Sequence, residues 1–169
     1  MKNPDQLVVF TLDENRYALH LSAVERVVRM VEITPLPKAP GIVPGVVNLQ
    51  GRVIPVINMR RRFHLPEREI ELGDQLVIAH TPRRSVAVAA DSVSSVVEYS
   101  KEKVVEAGKI LPGMEYVEGV VKLEDGMILI HDLDTFLSLE EEKMLDNALK
   151  KSGGENDREH SRHHAFAPE

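Results

Sequence analysis

Gly45-Val46-Val47-Asn48-Leu49-Gln50-Gly51-Arg52-Val53-Ile54-Pro55-Val56 holds two apolar blocks, and both return later in the chain. Gly119-Val120-Val121-Lys122-Leu123 repeats the first and Met127-Ile128-Leu129-Ile130 the second, each displaced by 74 residues. Further upstream the same relation holds at a displacement of 69. Leu7-Val8-Val9 aligns with Leu76-Val77-Ile78, Tyr17-Ala18-Leu19 with Val86-Ala87-Val88, and Val24, Val27 and Val28 with Val93, Val96 and Val97. Two copies of one supersecondary unit, differing in loop length, are therefore written into the chain.

Each copy consists of short runs rich in β-branched residues separated by turn residues, the pattern of a small barrel or sandwich. Asp13-Glu14-Asn15 turns Leu7–Leu12 back into Tyr17–Leu21, and Glu124-Asp125-Gly126 turns Val120–Leu123 into Met127–Ile130, with Asp-Gly supplying positive φ cheaply. Ser22-Ala23-Val24-Glu25 has capping-box form for a brief helix, and Asp91 offers a cap at the equivalent place in the second copy. The prolines of 34–44 forbid a regular helix and predict an extended surface loop. Ser138-Leu139-Glu140-Glu141 is a further capping box, opening a helix over 139–151 whose apolar face, Leu145, Ala148 and Leu149, should dock on the barrels. From Ser152 to residue 169 glycine, charge and histidine occur without hydrophobic spacing, which predicts a mobile tail.

Composition narrows the function. The chain has 169 residues, and its formal charge of −6 opposes binding to phosphate backbones, which needs cations to displace counterions. It contains no cysteine, so disulfides and thiolate metal sites are excluded. No run approaches the roughly 20 apolar residues that span a bilayer, and the first six residues lack the apolar core of a secretory signal, so no direct membrane insertion and a cytoplasmic location are expected.

Catalytic signatures are missing. The carboxylates fall in turns (Asp13, Glu14, Asp125) or solvated runs (140–142), and G-x-S-x-G, P-loop and G-x-G-x-x-G patterns do not occur. His20, His64, His80 and His131 share no spacing, and surface or hydrogen-bonded interior roles are expected of them. His160, His163 and His164 lie in the tail, where metal binding is the less favoured reading. No cofactor, metal or catalytic residue is expected. Arg60-Arg61-Arg62 reads either as a solvated strand end or as a patch for an acidic partner. Pro55, inside an apolar run, marks an edge strand or bulge, and serves equally as a guard against aggregation. Gly45, Gly51 and Gly119 either permit close backbone approach or serve turns.

The stretch Gly45–Arg60 resembles the CheW family of bacterial chemotaxis coupling proteins. So, in family order, do Leu7–Leu12 with Tyr17-Ala18-Leu19, Val86–Val93, Tyr116–Val120 and Ile128-Leu129-Ile130, and the likeness covers residues 6–138. It implies a mainly β fold of two fused SH3-like barrels of five strands each with an apolar seam between them, plus the C-terminal helix. The first unit would span about 7–63 and the second about 75–137, sharing of strands being allowed. It also implies a non-enzymatic adaptor that couples the cytoplasmic tip of methyl-accepting chemoreceptors to the regulatory domain of a CheA-type histidine kinase. A divergent regulator that binds the kinase but not receptors is the alternative. Carried over by position, the receptor groove falls on Val24, Arg26, Val27, Gly45, Asn48, Gln50 and Gly51, and the kinase-facing surface near Ala87 and Gly119. The family usually has an acid at the position of Arg26, arginine at Gln50 and aspartate at Asn58. Loss of the acid together with the base is expected to avoid a like-charge clash, which requires Arg26 and Gln50 to be neighbours.

Overall fold

The computed structural model describes residues 5–106, 117–124 and 126–151. Asp125, Tyr116 and the histidines of the expected tail lie outside the described residues. Among the described residues twelve strands occur in chain order: β1 (Asp5–Leu12), β2 (Asn15–His20), β3 (Val24–Arg29), β4 (Thr34–Pro35), β5 (Gly45–Leu49), β6 (Arg52–Ile57), β7 (Gln75–His80), β8 (Ser85–Ala90), β9 (Ser92–Tyr99), β10 (Val104–Glu106), β11 (Val117–Leu123) and β12 (Gly126–His131). A four-residue helix, α1 (Met59–Arg62), follows β6, and α2 occupies 139–151.

The strands form two sheets, ordered β10-β11-β12-β2-β1-β9 and β3-β7-β8-β6-β5-β4. Each sheet has five longer strands, and the two-residue β4 or three-residue β10 makes the sixth. The copies exchange their first hairpins. β1 and β2 lie with β9–β12, whereas β7 and β8 lie with β3–β6, so the units 7–63 and 75–137 are repeats of sequence and not separate sheets. The exchange obeys the repeat: Leu7 faces Val97 as Leu76 faces Val28, and the parallel joins Ile130↔Ala18 and Val56↔Ala87 are likewise equivalent.

Alternation along the strands sorts the apolar side chains into three clusters. Leu7, Val9, Ala18, Val121, Ile128 and Ile130 fill the first sheet's interior, and Leu76, Ile78, Ala87, Val47, Ile54 and Val56 help fill the second's. Phe10, Leu12, Tyr17 and Leu19 of β1 and β2, with Val77, Ala79, Val86 and Val88 of β7 and β8, help form a seam between the sheets. Hairpin strands buried on both faces explain the near-continuous apolar runs of 7–12 and 76–79.

Several local expectations are corrected. Residues 21–23 form a single 3-10 turn without a side-chain cap, and Glu25 is already in β3, at a bulge between Val24 and Arg26. Asp91 caps no helix, because 92–99 is strand. The proline segment is not wholly superficial: Leu36, Ile42 and Val43 are buried in the seam, and the Ile42 carbonyl accepts from the Asn58 amide at 2.8 Å. Pro55 is buried within β6, an interior strand, but the parallel pairing to β8 registers at Val56 and Ile57, so its missing N–H falls just outside that ladder.

The arginine triplet is neither a strand end nor a free patch. Asn58 caps α1 by accepting from the Arg60 amide at 3.0 Å, retaining the acceptor that the family's aspartate would supply. Arg60, its side chain 7% exposed, bonds both oxygens of Asp91 at 2.9 and 2.8 Å and Asp13 at 2.9 Å. Arg68 continues the chain to Asp91 and Asp74. Burial pushes the Asp91 carboxyl up, but hydrogen bonds from Arg60, the Asp13 amide and Arg68 outweigh it and hold the group below its ordinary range. Arg60→Met would leave the partly exposed Asp91 with Arg68 and the Asp13 amide as its partners and is expected to cost about 1–2 kcal/mol in urea denaturation at pH 7.

α2 starts as expected. Ser138 N donates to Glu141 Oε1 at 2.9 Å and Glu141 N to Ser138 Oγ at 3.1 Å, the reciprocal capping box. Leu145 and Ala148 are buried in the seam cluster, with Leu149 packed against it. Arg62 binds Glu141 at 2.6 Å, and Arg84 binds Glu142 and Asp146, so the helix is tied to α1 and to the β7–β8 turn.

Candidate docking surfaces and family

The seven residues expected at a receptor groove lie on two segments of the second sheet. Val24, Arg26 and Val27 belong to β3, its terminal strand, and Gly45 and Asn48 to β5, with Gln50 and Gly51 forming the β5–β6 turn. Gln50 and Gly51 have φ of 54° and 85°, the pair of positive values that a two-residue hairpin loop demands, and Asn48 Oδ1 accepts from the Gly51 amide at 2.9 Å. Arg26, Val27, Asn48, Gln50 and Gly51 are exposed and Val24 is half-buried. Gly45 is buried, and a Cβ there would stand 2.2 Å from the Thr34 carbonyl oxygen, so its task is the close approach of β4.

An acid–base contact does join β3 to β6, through neighbouring residues. Glu25 accepts from Arg52 at 3.0 Å and from Ser85 Oγ at 2.9 Å. Hydrogen bonds from Arg52 and Ser85 hold the Glu25 carboxyl below its ordinary value. This contact spans strands that are not adjacent in the ladder and brings the start of β3 towards the β5–β6 hairpin.

The two residues expected near a kinase surface are internal. Ala87 is fully buried inside the second sheet, and Gly119 is buried in β11, where a Cβ would stand 2.5 Å from Val104 Cγ1. Gly45 and Gly119 are thus one position of the repeat, each accommodating a very short neighbouring strand.

Sequence reasoning did not single out four apolar side chains as an exposed set. Val27 and Val53 are 37% and 48% exposed, and their repeat equivalents Val96 and Met127 are 52% and 57% exposed. Val28, Ile54, Val97 and Ile128 pack inward, so alternation turns these four outward. The signal was available: an apolar residue retained at an outward position in both copies is not explained by the core.

His20 bonds Glu118 at 2.6 Å and Tyr99 at 3.3 Å at the junction of β2, β11 and β9, bordering a cleft of about 680 Å³. Among the described residues, no group of three or more His, Cys, Asp or Glu is arranged to hold a metal. No described helix is long and apolar enough to cross a membrane.

Two sheets built by hairpin exchange thus carry outward apolar side chains at repeat-equivalent positions. A family model for the CheW-like domain matches residues 6–141. The chain is 32% identical over 148 residues to the chemotaxis protein CheW of Treponema pallidum, covering 84% of this chain and 87% of that one. It is 25% identical over 147 residues to CheW of Klebsiella aerogenes, covering 86% and 89%. The crystal structure of the scaffolding protein TtCheW from Thermoanaerobacter tengcongensis superposes with a TM-score of 0.75 at 28% identity, covering 83% and 92%. The chain belongs to the CheW family of chemotaxis adaptors.

Proposed function

We propose that the chain couples chemoreceptors to a CheA-type histidine kinase, with a different partner on each sheet. The observation that carries this reading is the duplicated set of outward apolar side chains, Val27 and Val53 on the second sheet and Val96 and Met127 on the first. Apolar side chains held out on rigid strands suit partner docking, and two such sets on two sheets suit two partners. In this reading the receptor's helical tip meets the surface around Val24, Arg26, Val27, Asn48, Gln50 and Gly51, with Gly45 setting the strand spacing beneath it. The kinase regulatory domain meets the sheet carrying Val96 and Met127. Gly119 sets the spacing of β10 and β11 under that face, while Ala87 lies buried in β8 between β7 and β6.

Pairwise binding tests the assignment. Val53→Lys is expected to weaken a receptor tip at least tenfold and leave the kinase regulatory domain unaffected, and Met127→Lys to do the reverse, since a charge in a desolvated contact costs well over 1 kcal/mol. Loss of both partners in either variant, with the fold intact by circular dichroism, would contradict separate surfaces. Retention of the kinase by a wild-type chain that ignores receptors would favour the regulator instead.

A further inference from the structure

Strand β3 carries one carboxylate, Glu25, and that group is engaged by Arg52 and Ser85. Its two arginines, Arg26 and Arg29, are exposed and make no ion pair among the described residues. They border Val27 on the terminal strand of the sheet. Arg29 shares the outward face of Val27, as Gln75 and Val77 show in the facing register, and Arg26 projects on the side of Ile78. A partner lying along this edge meets Val27 with Arg29 beside it on the same face and the Arg26 guanidinium on the other side of the strand. The nearest following carboxylate in sequence, Glu32, lies beyond the strand. This is a local reversal in a chain of formal charge −6.

We propose that the β3 edge selects an acidic amphipathic helix: a receptor segment whose apolar stripe is flanked by glutamate or aspartate rather than by lysine or arginine. The proposal rests on the receptor-docking reading and adds the chemistry of the partner. The Glu25–Arg52–Ser85 contact makes the selection possible, because it occupies the carboxylate that would otherwise pair with Arg26 or Arg29 and repel an acidic helix. Rim charges of this kind act on encounter and specificity, and their effect falls with ionic strength.

The test uses the full chain and a designed antiparallel helical hairpin with one apolar stripe, made in two forms with glutamates or lysines flanking the stripe. By fluorescence anisotropy the glutamate form is expected to bind about tenfold tighter than the lysine form at low salt, and the gap to shrink in 0.5 M salt to about twofold. The doubly substituted Arg26→Glu/Arg29→Glu chain should invert the preference. Both residues are exposed, so the fold should survive, which a thermal melt checks. Equal binding of both forms, no inversion, or binding of neither form overturns the proposal. Val27→Asp separates the two levels. If it weakens the hairpin while the arginine variant does not, charge selection is wrong and docking on β3 stands; if it too is silent, the docking reading fails.

Discussion

Gly45→Ala is expected to destabilise the protein by about 3 kcal/mol, because the added methyl group has nowhere to go. Its Cβ would stand 2.2 Å from the Thr34 carbonyl oxygen and 2.8 Å from Ile33 Cγ2, and the first of these is backbone that no rotamer change can move. Relief requires β4 to leave β5, which gives up the Thr34↔Val46 and Pro35↔Gly45 pairing and loosens Ile33 and Leu36, side chains packed on two of the three cores. Gly119→Ala offers a graded comparison. Its nearest obstacle is a valine methyl at 2.5 Å and the backbone stands off at 3.1 Å, so a cost of about 1–2 kcal/mol is expected. Gly41, with nothing within 4 Å, should tolerate alanine. Denaturant midpoints that fail to rank in this order would refute the close-approach role of the two repeat-equivalent glycines.

The second large effect is a loss of stability in mild acid that traces to one residue. His131 is 2% exposed, packed against Tyr17, Phe63, Phe136 and Phe10 at ring distances of 5.0, 4.7, 5.7 and 6.0 Å, and neither ring nitrogen has a hydrogen-bond partner among the described residues. It departs from the hydrogen-bonded or surface role expected of it. Burial lowers its pKa from 6.5 to about 3, since a charged imidazolium would lose its hydration without compensation. A base whose folded pKa is depressed binds more protons when unfolded. Its contribution is therefore complete above pH 6.5 and is lost as pH falls from 6.5 towards 3, at up to about 1.4 kcal/mol per pH unit. From pH 7 to pH 5 the protein should lose about 2 kcal/mol. His131→Phe, which keeps a ring in the aromatic cluster, should abolish most of that slope. The lowered carboxylates of Asp91, Glu25 and Glu141 lose their contributions at lower pH, so the window from 7 to 5 isolates the histidine. A wild-type chain whose stability is flat between pH 7 and 5 would contradict the buried neutral imidazole.

The repeat made the two-sheet architecture legible because a β unit with one copy's periodicity must recur wherever that periodicity recurs. The hairpins at Asp13 and Gly126 and the capping box at Ser138 followed from local chemistry alone, and local chemistry survives folding. Hairpin exchange did not follow. The runs 7–12 and 76–79 are equally apolar on both faces, so nothing in either run names the sheet it joins, and the choice is made by the cross-copy contacts Leu7–Val97 and Leu76–Val28.

The misreadings share a cause. Glu25, Asp91, Arg60 and Arg62 look like caps or solvated charge when taken with their sequence neighbours, but each is held by a residue at least 27 positions away. Leu36, Ile42 and Val43 look like loop residues because prolines surround them, yet their side chains complete the seam. At the candidate surfaces, the turn Asn48–Gly51 and the exposure of Arg26 and Val27 were legible by position. Val53, Val96 and Met127 were visible as repeat partners, but their outward direction emerged when the alternation was anchored to the cores. Ala87 and Gly119 were placed near a surface by resemblance, and their burial is a property of the packed sheets.

Co-sedimentation of the full chain with a receptor tip and a kinase regulatory domain together tests the two-surface adaptor most directly. A single species containing all three is predicted, from which Val27→Asp removes the receptor alone and Val96→Asp the kinase alone. Competition between the two partners for the wild-type chain, with one substitution removing both, would contradict it.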